Sequence, residues 1–320
     1  MTSRAARRIV ICEFMDETAV AHLAAAYDTL YDEALVDRPD ELRSAIAAAG
    51  ALIVRNRTRV DAALLGAAPA LQIVGRLGVG LDNIDVDACA RRGIEVIPAT
   101  GANAVSVAEY VICAAMLLLR GGAYTSSPAV AAGEWPRAAL SRGRELAGKT
   151  LGLVGFGTIG RLTGRLARAM GMHVIGSDAQ IADDAPSWAT DATPPHTLDA
   201  LLALADIVSL HVPLTPATRH LIDAARIARM KPGAILVNSA RGGVVDEAAV
   251  AAALRSGRLA GAALDVFEYE PLAAGSPLAD CPNLLLTPHI AGVTVESNLR
   301  VSMLVAERVG EALRRRRSSR

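Results

Sequence analysis

Aromatic residues are scarce in this chain, with Phe, Tyr and Trp together making 3% of its 320 residues. A core without them has to be built from Ala, Val, Leu and Ile, which suits buried parallel strands covered by helices. An excess of either charge is missing too: 33 basic residues face 33 acidic ones. That balance gives neither nucleic acid nor an anionic membrane a reason to bind. Long apolar runs are absent, the longest being Val111 to Leu119, far short of a membrane span. The basic N-terminus, Met1 to Arg8, is followed only by Ile9 to Cys12 before Glu13, too short for a signal-peptide core. Cysteine is sparse, and Cys12, Cys89, Cys113 and Cys281 show neither a C-x-x-C pair nor metal-ligand spacing. They are expected to be reduced core thiols of a soluble cytoplasmic protein that binds no metal.

What is present centres on Gly155-Phe156-Gly157-Thr158-Ile159-Gly160. The apolar run Leu151 to Val154 precedes it, a helix-like pattern from Arg161 to Met170 follows, and Asp178 closes a second apolar run at Val174 to Gly176. Together these form a βαβ dinucleotide-binding fingerprint. Gly155 permits the turn, Gly157 lets backbone approach a pyrophosphate, and Gly160 lets helix and strand pack closely. Thr158 and Ile159 open the helix, whose N-terminal N–H groups favour phosphate. The carboxylate of Asp178 suits the two adenosine ribose hydroxyls and would repel a 2′-phosphate, and no Arg follows it. NAD is therefore expected as cofactor.

Apolar runs at Ile9 to Cys12, Ala51 to Val54, Leu71 to Val74 and Ile94 to Ile97, with helical patterns between them, predict a small parallel α/β domain. Breakers at Pro98 to Gly101 end it. Ser106 to Leu119 is apolar nearly all round apart from Glu109, a helix to be buried between domains or against another subunit. The reading adopted is a homodimer joined through it. Strands are predicted again at Leu151 to Gly155, Val174 to Gly176, Ile207 to Leu210, Ala234 to Asn238, Gly261 to Asp265 and Leu284 to Leu286. Thr287-Pro288 is a second breaker before a long amphipathic helix, Val295 to Leu313. The expected domains are residues 1–101 with 291–320, and 102–290. The tail Arg314 to Arg317 reads as a solvated end rather than an anion-binding arm.

Three polar residues stand after predicted strands, where open α/β sheets bind ligands: Arg241, Glu270 and His289. His can exchange a proton near neutral pH, a carboxylate on its other nitrogen would orient it, and Arg241 offers a planar fork to a carboxylate. On the residues alone, Glu268 competes evenly with Glu270 for the supporting role.

These segments resemble the NAD-dependent D-2-hydroxyacid dehydrogenase family, in its phosphoglycerate dehydrogenase branch. The likeness runs through the glycine fingerprint with Asp178, His211 to Thr215, Asn238 to Asp246, Leu264 to Pro271 and Thr287 to Gly292. It implies two Rossmann-like α/β domains with parallel sheets, one flavodoxin-like and substrate-binding, the other dinucleotide-binding. It also implies that Arg241 binds the substrate carboxylate and keto oxygen, that His289 exchanges the C2-oxygen proton, and that Glu270 supports His289. His211, Val212, Pro213, Thr218, Ser239, Ala240, Asp265 and Gly292 are then expected along the cofactor, Asp265 at the nicotinamide carboxamide.

In the first domain, Arg55, Asn56, Arg76, Val79, Gly80 and Asn103 fall where that branch binds substrate. Asn56 stands where the branch usually has Ser. Glu13 to Glu17 and Arg55 to Thr58 also resemble (S)-sulfolactate dehydrogenases of the same family. The implied substrate is a small anionic 2-hydroxy or 2-keto acid with a second anionic group, of the 3-phosphoglycerate or 3-sulfolactate type. The alternatives are a hydroxypyruvate or glyoxylate reductase and an NADH-sensing corepressor-like scaffold.

Overall fold

The computed structural model describes residues 8–318, so the basic stretch up to Arg7 and the side chain of Arg317 lie outside the described residues. The chain divides into two compact units, one ending at Asn103 and resumed from Val293, the other Ala104–Gly292.

The first unit runs β1 (Arg8–Ile11), α1 (Glu17–Ala24), β2 (Asp28–Tyr31), α2 (Pro39–Ile46), β3 (Ala51–Val54), α3 (Ala62–Gly66), β4 (Ile73–Arg76), α4 (Val86–Arg91) and β5 (Glu95–Pro98). Its five strands are parallel in the order β2-β1-β3-β4-β5, the flavodoxin-like arrangement. Asp, with an acceptor two bonds beyond Cβ, starts three of these helices: Asp16, Asp61 and Asp85 accept from Thr18, Leu64 and Ala88 N–H groups. The strand β2 has no apolar run to announce it. As an edge strand it pairs only with β1 and is nowhere fully buried, so Asp-Thr-Leu-Tyr suffices.

The second unit runs α5 (Ala104–Arg120), α6 (Ser127–Ala131), α7 (Arg137–Leu140), β6 (Thr150–Val154), α8 (Thr158–Ala169), β7 (His173–Ser177), α9 (Pro186–Thr190), α10 (Leu198–Leu204), β8 (Ile207–Leu210), α11 (Ala224–Ile227), β9 (Ala234–Asn238), α12 (Glu247–Arg255), β10 (Leu259–Leu264) and β11 (Leu284–Leu286). Its strands are all parallel, in the order β11-β10-β9-β8-β6-β7. A parallel bridge between Gly176 and Pro195 stands beyond β7. Counted as a strand, it completes the Rossmann order. Pro194 and Pro195 lack N–H donors, which keeps that third strand from forming a ladder. The order reverses between β6 and β8, and both the glycine turn after β6 and His211 after β8 lie there.

The last helix, α13 (Val295–Ser318), packs on the first unit's sheet. Gly75 makes room for it: a Cβ there would lie 2.8 Å from Val305 Cγ1 and 2.9 Å from Val309 Cγ2. Apolar side chains fill the faces of each sheet: Ile9, Ile53 and Ile73 with Val305 and Val309 in the first unit, and Val111, Leu153, Ile235 and Val237 in the second.

One expectation is corrected. Cys12 and Cys89 are buried, but Cys113 is exposed and Cys281 half-exposed, so these two are not core thiols. Along α5, Val105, Glu109, Cys113 and Met116 share a stripe that is solvent-facing in the single chain. Their spacing of three to four residues puts them on one side of the helix.

Candidate active site

The glycine turn is built for backbone contact. Gly155 has φ +96°, and a Cβ on it would lie 2.6 Å from the His211 carbonyl oxygen. A Cβ on Gly160 would lie 2.2 Å from the Gly155 carbonyl oxygen. At Gly157 a Cβ would meet nothing within 4 Å, so the protein's own packing does not require glycine there. The α8 N-terminus has no side-chain cap, which leaves its N–H groups available to an anion. Thr158 is exposed and Ile159 half-buried at this end. Asp178 follows β7, its Oδ2 accepting from Phe156 N–H and its Oδ1 from Gln180 N–H, both at 2.8 Å. A carboxylate has about four acceptor positions, so two remain for a pair of ribose hydroxyls. Beside these, Ser239 Oγ is buried without a protein partner. Open space at Gly157, uncapped N–H groups and an orphaned hydroxyl fit a bound dinucleotide.

His211 lies at the same sheet edge, with Nε2 3.0 Å from Ser209 Oγ, and Val212 Cγ1 would be 3.1 Å from a Gly155 Cβ. Thr218 spends its hydroxyl within the exposed Pro213 turn, donating to the Pro213 carbonyl at 2.6 Å and accepting from Thr215 N–H at 2.7 Å. Burial pushes the His211 imidazole down to about 4, so it is neutral near pH 7 and unsuited to acid–base exchange there. In the unfolded chain it would take up a proton near pH 6.5. Its contribution to stability is therefore complete above pH 6.5 and is lost as pH falls towards 4. Because the residue as a whole is only half-buried, we expect a discounted loss of about 1 kcal/mol between pH 7 and 5. Urea unfolding of His211→Asn should show a correspondingly flatter pH dependence than wild type, and identical slopes would refute the assignment.

The three candidate catalytic residues follow β9, β10 and β11. Asn238, fully buried, accepts from Ala240 N–H at 3.1 Å and donates to the Arg241 carbonyl at 3.0 Å, shaping the turn that presents Arg241. Arg241 Nη1 donates to the Ala240 carbonyl at 2.6 Å. Glu270 Oε1 accepts from Phe267 N–H at 3.1 Å, and Oε2 lies 2.8 Å from His289 Nδ1. With Nδ1–H given to the carboxylate, Nε2 is the nitrogen left to exchange a proton. Glu268 instead pairs with Arg219 and accepts no bond from His289, which separates the two glutamates that sequence alone left even.

His289 has φ +57°, a strained setting for a residue with a Cβ. Asp265, 1% exposed, holds that turn. Its carboxylate accepts from Thr287 Oγ1 at 2.6 Å and from Ile290 and Ala291 N–H at 2.8 Å each, and its carbonyl accepts from His289 N–H at 2.8 Å. Tyr110 Oη in turn lies 2.7 Å from Thr287 Oγ1. Three acceptor positions of Asp265 are thus spent on positioning His289, a duty the motif did not announce. Gly292 ends the unit just beyond.

In the first unit, Arg55, Asn56 and Arg57 follow β3. Arg55 is half-buried, its Nη2 donating to Asn298 Oδ1 at 2.9 Å and its guanidinium 5.5 Å from the Phe14 ring centre. Arg57 pairs with Asp37 on the surface. Arg76 Nη1 donates to the Leu77 carbonyl at 3.0 Å and occupies the place of a Gly78 Cβ, 1.4 Å away. Val79 and Gly80 are half-buried beyond it, and Asn103 Oδ1 is buried without a partner. Sequence reasoning missed the supporting roles of Glu13, Phe14 and Asn298, since none belongs to the glycine, arginine or histidine motifs.

The family model described as "D-isomer specific 2-hydroxyacid dehydrogenase, NAD binding domain" matches residues 113–291. The (S)-sulfolactate dehydrogenase of Chromohalobacter salexigens is 55% identical over 305 residues, 95% of this chain and 98% of that protein. The D-3-phosphoglycerate dehydrogenase of Mycobacterium leprae is 42% identical over 95% of this chain, which spans 56% of that longer protein. Among solved structures, a glyoxylate reductase from Paecilomyes thermophila superposes with a TM-score of 0.84 at 30% identity, covering 96% of this chain and 95% of that one. The chain belongs to the D-isomer specific 2-hydroxyacid dehydrogenases, oxidoreductases that use NAD.

Proposed function

We propose that the protein oxidises a three-carbon D-2-hydroxy acid carrying a second anion at C3, with 3-sulfolactate preferred and 3-phosphoglycerate the close alternative. The observation that carries this reading is Arg55, desolvated beside Phe14 and Asn298, in a chain whose Arg241 already suffices for one carboxylate. The 55% identity to a sulfolactate enzyme supports sulfonate. Its (S) descriptor agrees with D specificity, because CH2–SO3 outranks carboxylate and reverses the label without moving an atom.

Arg241 binds the C1 carboxylate through its planar fork. When bound, NAD supplies the acceptor for the hydride that leaves C2. His289 Nε2 takes the proton of the C2 hydroxyl, and Glu270 stabilises the imidazolium that results. Asp178 holds the adenosine ribose. NAD should accordingly exceed NADP by at least about tenfold in kcat/KM, on the order of 1.4 kcal/mol; equal use of the two by the wild type would refute that role.

Arg55→Ala tests the substrate. A charge-assisted hydrogen bond contributes about 1.5 to 3 kcal/mol, so oxidation of 3-sulfolactate or 3-phosphoglycerate should fall roughly tenfold to a hundredfold in kcat/KM. Lactate and glycerate should fall much less. An equal loss for all four would mean that Arg55 serves the common carboxylate or the loop alone.

The solvent-facing stripe of α5 supports a homodimer. Ile112, Cys113, Met116 and Leu117 line an apolar hollow of about 470 Å³ with Tyr124, Leu166 and Met170, a surface of the kind subunits cover. Four cysteines that all stand as thiols are in keeping with a cytoplasmic setting.

A further inference from the structure

The pairing of β1 with β3 sets Ile9 beside Ala51 and Ile11 beside Ile53, and Cys12 N–H continues it to the Ile53 carbonyl at 3.2 Å. The next residue, Glu13, is thereby carried beneath the start of the Arg55 loop. It is 4% exposed, and its carboxylate accepts four consecutive backbone N–H groups: Arg55 at 2.9 Å, Asn56 at 3.2 Å, and Arg57 and Thr58 at 3.0 Å. These fill its four acceptor positions. Burial raises the Glu13 carboxyl, but the N–H groups of Arg57, Thr58 and Arg55, together with the Thr58 hydroxyl, outweigh burial and hold it below the usual range.

A chain of successive N–H groups is an anion-binding concavity, and here the protein's own carboxylate occupies it. The loop backbone has no donor left at those positions for a ligand. Recognition through this loop falls to side chains, of which Arg57 is already paired with Asp37, while Arg55 is held by Asn298 and Phe14 rather than by a carboxylate side-chain pair. Phe14, next in sequence to Glu13 and half-exposed, lies under that guanidinium, while Asn298 accepts from one of its nitrogens.

We propose that Glu13 and Phe14 are positioning residues that set the preference for a second anion at C3, Glu13 by fixing the backbone of residues 55–58 and Phe14 by fixing the plane of the Arg55 guanidinium. The inference rests on the reading of Arg55 given above.

The test compares kcat/KM for (S)-3-sulfolactate with that for D-glycerate in wild type, Glu13→Gln, Phe14→Leu and Arg55→Ala, with NADH affinity measured alongside. The sulfolactate-over-glycerate preference should fall at least about tenfold in Glu13→Gln, whose amide turns donors towards N–H groups. It should fall at least about threefold in Phe14→Leu, which loses the cation–π contact. Both losses should lie in KM, with NADH affinity held to within about twofold. Phe14→Leu leaves the Glu13 hydrogen bonds in place, so it reads the same ratio even where Glu13→Gln does not fold. A purely structural role would lower both substrates alike. If Arg55→Ala loses the preference while Glu13→Gln and Phe14→Leu keep it, the inference fails and the reading of Arg55 stands. A wild type with no preference for sulfolactate overturns both.

Discussion

Replacing His289 by alanine should lower turnover by roughly 10² to 10⁴, the range for losing a positioned proton-transfer group, or about 2.7 to 5.5 kcal/mol of barrier. The geometry argues for the upper part of that range. The ring is held by Glu270 at 2.8 Å and its backbone by Asp265, so alanine removes a group that is positioned in advance. NADH binding should persist, because the glycine turn, Asp178 and Ser239 belong to other segments of the unit. Glu270→Gln should also lower turnover, since the carboxylate that orients the His289 ring through Nδ1 would be gone. Near-wild-type turnover by His289→Ala would show that another group moves the proton.

Gly242→Ala should be damaging as well, although it removes no reacting group. A Cβ there would lie 1.7 Å from the Phe267 carbonyl oxygen, 2.1 Å from its carbon and 2.8 Å from Glu268 N. All three are backbone atoms, so no rotamer change relieves the clash. Phe267 must move, and its N–H is the donor that holds Glu270 Oε1. We expect about 3 kcal/mol of destabilisation from this overpacking, a fall in Tm of roughly 6 to 12 °C, and turnover down roughly tenfold to a hundredfold as Glu270 leaves its place beside His289. A variant with wild-type Tm and turnover would show that the Phe267 segment yields freely.

Much of this architecture could be read from apolar runs because buried parallel strands must be apolar on both faces. Ala51–Val54, Ile207–Leu210, Ala234–Asn238 and Leu284–Leu286 stand where those runs place them. The strand β2 escaped because an edge strand needs no such run, and the Gly176–Pro195 bridge because two prolines leave no ladder to detect. The exposed stripe of α5 escaped for the opposite reason. Composition reports that a helix is apolar and is silent about which neighbour covers it.

Within the site, Gly155, Gly160 and Asp178 were legible because a fixed spacing encodes one local turn. Glu13 was not, since its partners are backbone groups more than forty positions away and backbone carries no residue signature. Its traces are a carboxylate ending an apolar strand, Ile9 to Cys12, and a place in the Glu13 to Glu17 segment that resembles sulfolactate dehydrogenases, neither of which names its partners. Asp265 was legible as a motif member, yet its grip on the His289 turn emerges only when the strand ends are brought together. The resemblance selected Glu270 over Glu268, and the structure supplies the physical reason in the Arg219 pair.

The central claim is that His289 and Arg241 carry out NAD-linked oxidation of a 2-hydroxy acid with a second anion at C3. Its most direct test is the initial rate of NADH formation with (S)-3-sulfolactate, 3-phosphoglycerate, D-glycerate and D-lactate, with NADH oxidation by the matching keto acids measured in parallel. The account predicts that the two doubly anionic acids, sulfolactate first, surpass the others by at least about tenfold in kcat/KM, and that His289→Ala lowers turnover of every acid by roughly 10² to 10⁴. NADH binding with negligible turnover of every acid and keto acid would contradict it, and would mark the chain as a cofactor-binding scaffold.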